Sequence, residues 1–302
     1  MSTDTRVESF TPDRARLALV EACRAVSLDS SNAERLRYGE NAIYYLPREH
    51  KVARIGRSMD AATKEVHVAS WLASHQFPAA TIAIESANEP LVARSLPVTF
   101  WNYITESGPA ISAAELGRVL RDLHAIPSPT DFRLPPFSPM PKVESRLAQL
   151  ALSDFPEPQL AILRERFAEL SNGYSDLSFE LPLGPIHGDA HAGNLMRSGG
   201  RIVLIDLEDF CFGPREWDVA VFAVRYQAFG WESQAEYERY VAAYGYDPIQ
   251  WSGFAVMRAI RELNMTTWLA QRFDESPDVA AEVLKRVADL RNDQARRDWR
   301  VF

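Results

Sequence analysis

In the first third of the chain, short apolar runs separated by Gly, Pro and charged residues alternate with two helical patterns. Thr11 is a favourable N-cap residue and a proline follows it, which predicts a first helix over about 12–26. Apolar residues recur at helical spacing over about 61–75, which predicts a second helix. Short β-type runs predict strands at 41–46, 51–55, 81–85, 91–95 and 98–104. The first third is therefore expected to be mostly a small antiparallel sheet.

Beyond Gly108 and Pro109 the pattern becomes helical. Ser112 and Glu115 have the spacing of a capping box, and the apolar residues after them recur at i, i+3, i+4 and i+7. Further helical patterns occupy about 143–152, 157–170 and the stretch after 276, and a β-rich island at about 185–206 interrupts them. The chain is therefore predicted to be α+β in two lobes. A small N-terminal sheet lobe with one key helix spans 1–104, and a larger, mostly helical lobe spans 105–302.

Composition narrows the class of protein. With 46% hydrophobic and 25% charged residues, the chain is typical of a globular protein. Cys23 and Cys211 are too few for a disulfide framework, and the polar N-terminus with no long apolar run favours a cytoplasmic protein. The net charge of −8 without a basic stripe disfavours nucleic acid and membrane surfaces as partners. We therefore expect a small-molecule partner and a monomer or homodimer.

The β-rich island carries three side chains suited to phosphate chemistry. Asp189 and Asn194 stand five residues apart across a turn that contains glycine, and Asp206 ends the apolar run 202–205. A strand end holds its polar side chain rigidly, so the three can converge, one to accept a proton and two to hold a hard cation such as Mg²⁺. The same order and spacing occur in protein kinases, where positioning and charge neutralisation supply most of the rate. The pattern predicts phosphoryl transfer.

These segments resemble the motifs of a known family. HGDAHAGN at 187–194 and IDLED at 205–209 are similar to the HGDxxxxN and IDxxD motifs of aminoglycoside phosphotransferases and choline kinase-like enzymes, and GPREWD at 213–218 is similar to their GxxxxD element. The resemblance implies a protein kinase-like fold, with a nucleotide-binding lobe over 1–104 and the catalytic loop and acceptor pocket within 105–302. It also implies Mg²⁺-dependent transfer of the γ-phosphate of ATP or GTP to a hydroxyl of a small molecule.

The resemblance assigns roles to individual residues of the island. Asp189 corresponds to the catalytic base, and Asn194 and Asp206 correspond to the metal ligands. His187 is expected to brace the catalytic loop, and Asp218 to support the same loop from the helical lobe.

The N-terminal lobe matches the family with one departure. The position of the phosphate-binding lysine is held by Arg54, which keeps the positive charge and can bind phosphate through two N–H groups. Lys51 is a possible substitute, and Glu65 on the following helix is the expected partner of Arg54. The loop around Gly39 and Asn41, which lies between β-type runs, is expected to cover the phosphates of the nucleotide, although it contains a single glycine.

A hinge to the nucleotide base is expected on the strand 98–104. The carbonyl of Asn102 and the amide of Ile104 would then meet the adenine edge. Because backbone groups read the base there, ATP and GTP both stay open.

Other interpretations of the same residues stay open at this level. Asp189 and Asn194 also suit a capped turn. His187, Asp189 and His191 spell H-x-D-x-H, a pattern that suits a metal-dependent hydrolase but leaves Asn194 and Asp206 unexplained. The arginine at the lysine position keeps a nucleotide-binding kinase-like pseudoenzyme as an alternative.

The acceptor is less well defined by the sequence. Glu262, Asp274 and Glu275 are candidate contacts for an amino group of the acceptor, and a charged helical surface explains them equally well. Aminoglycosides, other antibiotics, amino sugars, choline-like alcohols and nucleosides all stay open.

Overall fold

The computed structural model describes residues 10–84, 89–292, 296–300 and 302. The helices are α1 Pro12–Ala25, α2 Met59–Ser74, α3 Ala113–His124, α4 Val143–Leu150, α5 Glu157–Ser175, α6 Glu216–Val224, α7 Gln234–Tyr244, α8 Phe254–Ala270 and α9 Pro277–Asp289. The strands are β1 Glu34–Tyr38, β2 Ala42–Leu46, β3 Lys51–Ile55, β4 Leu91–Ala93, β5 Leu96–Asn102, β6 Leu183–Ile186, β7 Leu195–Ser198, β8 Arg201–Leu204 and β9 Cys211–Pro214.

The chain divides into two compact units. The first unit contains Met1–Ala110, Pro129–Leu134 and Gly193–Phe210, and the second contains Ile111–Ser128, Pro135–Ala192 and Cys211–Phe302. The segment Gly193–Phe210 therefore groups with the sheet-bearing unit, although it follows the helices in sequence. The division of roles between 1–104 and 105–302 stays a prediction.

The first unit is built on a five-stranded antiparallel sheet with the order β1-β2-β3-β5-β4. Helix α1 begins where predicted, because the Thr11 side chain accepts the backbone N–H of Arg14 at 3.2 Å. Small and apolar side chains of α1 pack into one core with β2, β3, β4 and β5. Helix α2 is capped by Ser58, which starts it two residues earlier than the apolar spacing indicates.

The observed sheet differs from the sequence prediction in one strand that was missed and one that was wrongly expected. Strand β1 was not predicted, because all five of its side chains are exposed and leave no alternation to detect. The strand expected at 81–85 is instead an isolated bridge between Ile82 and Trp101, and residue 85 lies outside the described residues.

The second unit is mostly helical, with one two-stranded antiparallel pair, β6 with β9. Helix α3 begins at the predicted capping box, in which Ser112 and Glu115 exchange hydrogen bonds. Helix α4 is two residues shorter than its pattern, and α5 continues to Ser175. The α+β prediction, with a small antiparallel sheet before a mostly helical remainder, is confirmed. Across the described ranges, none of the helices has the length and hydropathy needed to cross a bilayer.

Candidate active site

In the first unit, Arg54 on β3 lies among three carboxylates. Its Nη1 atom is 3.1 Å from Oε2 of Glu65 on α2, the partner that the sequence indicated. The same guanidinium lies 3.8 Å from Asp206 and 2.5 Å from Glu208. The structure thus brings together the predicted cation, its predicted partner and one predicted metal ligand.

Glu208 was missed by the sequence analysis, although it lies within the quoted IDLED motif. Its Oε2 atom accepts hydrogen bonds from Arg54 at 2.5 Å and from the Asn41 amide at 3.0 Å, and its backbone carbonyl accepts from the Lys64 ammonium. Asn41, expected in the phosphate-covering loop, is therefore linked to the segment that carries Asp206. Lys64 adds a second cation that the sequence analysis did not select.

The buried position of Glu65 changes its acidity. Burial raises the pKa of Glu65 to about 7, because the attraction of Arg54 offsets only part of the desolvation and the charges of Glu208 and Asp206 add to the rise. The Arg54–Glu65 ion pair is therefore expected to lose its negative partner as the pH falls below about 7.

The β7–β8 hairpin brings Asn194 and Asp206 together. Asn194 immediately precedes β7, and its carbonyl accepts the backbone N–H of Ile205 at 2.9 Å, one residue before Asp206. Asn194 is buried, whereas the Asp206 side chain is 39% exposed. Two oxygen-bearing side chains on adjacent backbone positions suit Mg²⁺, which commonly takes one or two protein ligands and completes its shell with water and phosphate.

Asp206 also has an unusual backbone conformation. Its φ of 59° and ψ of 66° lie in the left-handed region, which asparagine and aspartate enter more readily than other non-glycine residues. Such conformations are concentrated at functional sites. The sequence pattern carries no signal for this feature.

In the second unit, Asp218 on α6 holds the loop that presents Asp189. Its Oδ2 accepts the backbone N–H of His187 at 2.7 Å, and its Oδ1 accepts that of Gly188 at 2.9 Å. His187 is fully buried, and its Nδ1 accepts the backbone N–H of Asp189 at 3.3 Å. The two residues expected to brace the loop are therefore in contact with it.

A further pair, missed by the sequence analysis, stabilises Asp218. The Nε2 atom of the buried His124 is 3.1 Å from Oδ2 of Asp218, and its Nδ1 atom is 2.8 Å from the Tyr244 hydroxyl. Burial alone would raise the pKa of Asp218, but the hydrogen bond and charge of His124 with those of His187 outweigh it and lower the pKa. His124 lies 94 residues from Asp218 in sequence, so no local motif connects them.

Asp189 itself is held as a carboxylate. Partial burial would raise its pKa, but the hydrogen bond and charge of His191, together with the charges of Arg261 and His187, lower it to about 2. The His191 Nε2 atom lies 3.3 Å from Oδ2 of Asp189, whose side chain is 47% exposed. An exposed, ionised carboxylate on a braced loop can orient a hydroxyl group.

The geometry does not support a hydrolase metal site at the H-x-D-x-H pattern. The Nδ1 atom of His187 already accepts a hydrogen bond from Asp189, and the ring has no exposed surface. Among the described residues, no group of three His, Cys, Asp or Glu side chains is arranged to hold a metal ion.

The loop at Gly39 is fixed by an arginine rather than by the special conformation of glycine. Arg57 donates to the carbonyls of Gly39 at 2.9 Å and Glu40 at 3.0 Å. A Cβ atom at Gly39 would meet no atom within 4 Å, so packing does not require glycine there. Its expected role in covering phosphates stays a prediction.

The expected hinge residues lie at the end of β5. Asn102 is the last residue of the strand and donates its backbone N–H to the Thr81 carbonyl at 3.0 Å, and Ile104 follows in irregular structure. Lys51, the alternative to Arg54, begins β3 and pairs in register with Asn102. The nucleotide contacts assigned to Asn102 and Ile104 stay predictions.

The candidate acceptor contacts have different surroundings. Glu262 on α8 is buried, with Oε1 2.9 Å from Nε of Arg258 and Oε2 2.7 Å from Nη2 of Arg297. It is therefore a structural residue and not a free carboxylate for an amino group of the acceptor. Asp274 and Glu275 are exposed, and Glu275 pairs with Arg272 at 2.8 Å.

The first unit carries an Arg–Glu ion pair and a hairpin with two oxygen-bearing side chains, and the second unit carries an aspartate loop braced by Asp218. These features are typical of kinase-like phosphotransferases. A profile of the phosphotransferase enzyme family (APH) matches residues 23–263, and the chain belongs to this family. The predicted relationship to aminoglycoside phosphotransferases and choline kinase-like proteins is confirmed.

Solved structures with the same fold extend over nearly the whole chain. An amicoumacin kinase, in complex with AMP-PNP, Ca²⁺ and Ami, has a TM-score of 0.72 at 15% identity, covering 95% of this chain and 97% of its own. A choline/ethanolamine kinase family protein from Mesorhizobium loti has a TM-score of 0.62 at 20% identity, covering 93% of each chain. A spectinomycin phosphotransferase, in complex with ADP and spectinomycin, has a TM-score of 0.62 at 14% identity, covering 90% and 93%. No curated protein matches the chain.

Proposed function

We propose that this protein transfers the γ-phosphoryl group of ATP or GTP to a hydroxyl group of a small molecule. The observation that supports this most directly is the loop of His187 and Gly188, held by Asp218, which presents Asp189 as an ionised carboxylate. Family membership supports a small-molecule phosphotransferase, and relatives of the same fold are described with AMP-PNP and ADP.

In the proposed reaction, Asp189 accepts a hydrogen bond from the acceptor hydroxyl and orients it. The hydroxyl oxygen forms a bond to the γ-phosphorus while the bond to the β–γ bridging oxygen breaks, and the nucleoside diphosphate leaves with that electron pair. The hydroxyl proton passes to a carboxylate oxygen of Asp189. A carboxylate with a pKa of about 2 is a weak base, so its main contribution is orientation, with proton transfer late in the reaction.

Asn194 and Asp206 are proposed to hold Mg²⁺. Their oxygen atoms are hard ligands, and the hairpin holds their backbones next to each other. When bound, Mg²⁺ supplies charge neutralisation for the phosphates.

Arg54 is proposed to bind the phosphates of the nucleotide with Glu65 as its anchor. The 3.1 Å ion pair with Glu65 supports this role, because it anchors Nη1 of the guanidinium. Nη2, which contacts Glu208 at 2.5 Å, would exchange that contact for a phosphate oxygen when the nucleotide binds. Gly39 and Asn41 are proposed to cover the phosphates, and the backbone of Asn102 and Ile104 to contact the base.

The test is a transfer assay with ATP or GTP, Mg²⁺ and a panel of hydroxyl acceptors that includes aminoglycosides, amino sugars, choline and nucleosides. Mass spectrometry is expected to show the gain of one phosphoryl group on at least one acceptor. Asp189→Asn should abolish that product. Asp122→Asn is the matched control, because Asp122 lies on α3 with 63% of its side chain exposed. Nucleotide binding without transfer to any acceptor would favour the pseudoenzyme alternative.

A further inference from the structure

A partly buried arginine of the second unit is linked to the loop that presents Asp189. The guanidinium carbon of Arg261, on α8, lies 4.4 Å from the centroid of the Trp217 ring. The Trp217 indole N–H in turn donates to the carbonyl of Gly188 at 2.6 Å, one residue before Asp189. The cation is therefore attached by stacking to the tryptophan that holds the loop.

Two nitrogen atoms of Arg261 lack a protein partner. Within the described part of the chain, Nε and Nη2 are shielded from solvent and make no hydrogen bond. Buried donors of a charged group are costly to leave unsatisfied, so this arginine calls for a partner that the chain does not provide. Burial lowers the pKa of Arg261, while the charges of Asp189 and Asp218 act to raise it.

The orientation of the unsatisfied atoms indicates the partner. Nε and Nη2 form one edge of the guanidinium, with two roughly parallel N–H bonds. That edge matches the two oxygens of a carboxylate, which it binds in a bidentate manner.

The acids of this unit near Arg261 and on its helix already have other partners. Asp218 accepts hydrogen bonds from His124 and from two backbone N–H groups. Asp189 pairs with His191 at 3.3 Å. On α8 itself, Glu262 is paired with Arg258 and Arg297.

We propose that Arg261 determines acceptor specificity by binding a carboxylate group of the acceptor, whose hydroxyl is oriented by Asp189. This inference rests on the proposed function and specifies its substrate class as hydroxy compounds that carry a carboxylate. It also replaces the expected recognition of an amino group by Glu262, whose oxygens are occupied.

The test uses matched acceptors that differ only at the carboxylate: D-gluconate with D-gluconamide, D-glucuronate with D-glucuronamide, and L-serine with L-serinamide. For each, kcat/KM of transfer is measured with the wild type, Arg261→Gln and Arg261→Lys. Arg164→Gln is the control, because Arg164 is a half-exposed arginine on α5 paired with Glu157. Thermal unfolding of each variant shows that it is folded.

The wild type is expected to prefer the carboxylate member of at least one pair by about 10- to 100-fold. In Arg261→Gln, the ratio of kcat/KM for the carboxylate to that for the amide should fall close to one. Arg261→Lys should keep part of this preference, and Arg164→Gln should keep all of it. Equal or better use of the amide members by the wild type, or an unchanged preference in Arg261→Gln, would overturn the role of Arg261 and leave the proposed function intact.

Calorimetry separates failure of the proposed function from failure of this inference. Each acceptor is titrated into the wild type and Arg261→Gln without nucleotide, and nucleotide is titrated separately. If no transfer and no nucleotide binding occur, the proposed function fails. Even then, carboxylate binding that is lost in Arg261→Gln would support the inference, and no carboxylate binding by the wild type would overturn it.

Discussion

The guanidinium of Arg54 lies 3.1 Å from the carboxylate of Glu65, so a cation on β3 is paired with an acid on α2 at the position where the family resemblance predicts a lysine. The pair is supplemented by Glu208, which accepts from the same guanidinium at 2.5 Å. Arginine at this position therefore keeps the positive charge that the resemblance predicts, and its forked side chain contacts a second acceptor.

Arg54→Ala is expected to weaken nucleotide binding by about 10-fold or more, because charge-assisted hydrogen bonds to phosphate are lost and three carboxylates remain unneutralised. Arg54→Lys should retain part of the affinity, since it keeps the charge but loses the fork. Calorimetry with Mg²⁺ and nucleotide measures both. If Arg54→Ala binds normally, Lys51 or Lys64 must supply the cation.

The stability of the protein should depend on the protonation of Glu65. Its pKa is raised from 4.5 to about 7 in the folded state. Between these two pH values, the native state therefore holds a proton that the unfolded state has released. The contribution of Glu65 to stability is therefore fully present below about pH 4.5 and is lost as the pH rises through about 7. The free energy of unfolding, measured by denaturant titration across this range, should fall less steeply with pH in Glu65→Gln than in the wild type. Parallel curves for the two proteins would contradict the shifted pKa.

The hydrogen bonds of Asp218 should matter for both stability and turnover. Asp218→Asn replaces an anion that accepts from His187, Gly188 and His124 by a neutral group that also has N–H donors. We expect a loss of about 2–3 kcal/mol in the free energy of unfolding and a marked fall in kcat. Nucleotide affinity should change little. Denaturant unfolding and steady-state kinetics measure these effects, with Asp122→Asn as the surface control. If Asp218→Asn and Asp122→Asn behave alike, the bracing role of Asp218 is contradicted.

Asp206 and Asn194 should affect the metal requirement to different degrees. Asp206→Asn removes a charge from the proposed Mg²⁺ site, so it should raise the Mg²⁺ concentration needed for nucleotide binding and lower turnover. Asn194→Ala should have a smaller effect of the same kind, because a neutral ligand is lost. A Mg²⁺ titration of nucleotide binding measures this, and unchanged midpoints in both variants would remove these residues from the metal site.

The parts of the site that the sequence predicts are those encoded by short motifs. Asp189, Asn194 and Asp206 have a defined spacing, and Glu65 follows from the position of a helix after a strand. Helix starts at Thr11 and Ser112 were predictable because capping uses side chains next to the helix end.

The rest depends on contacts between residues distant in sequence. His124 contacts Asp218 across 94 residues, and Glu208 contacts Arg54 across 154 residues. From its residue type, Glu262 could contact an amino group of the acceptor. Only the folded positions of Arg258 and Arg297 show that its carboxylate is already paired with them. The left-handed conformation of Asp206 likewise has no counterpart in a pattern of residue types.

The central claim is that Asp189 orients the acceptor hydroxyl and receives its proton, and the most direct measurement compares phosphoryl transfer and nucleotide affinity in Asp189→Asn and the wild type. The substitution keeps the shape of the side chain but removes the carboxylate charge. We predict a fall in turnover of about 10²- to 10⁴-fold, with nucleotide affinity close to that of the wild type. Wild-type turnover by Asp189→Asn on a confirmed acceptor would contradict the assignment of this loop as the catalytic loop of a phosphotransferase.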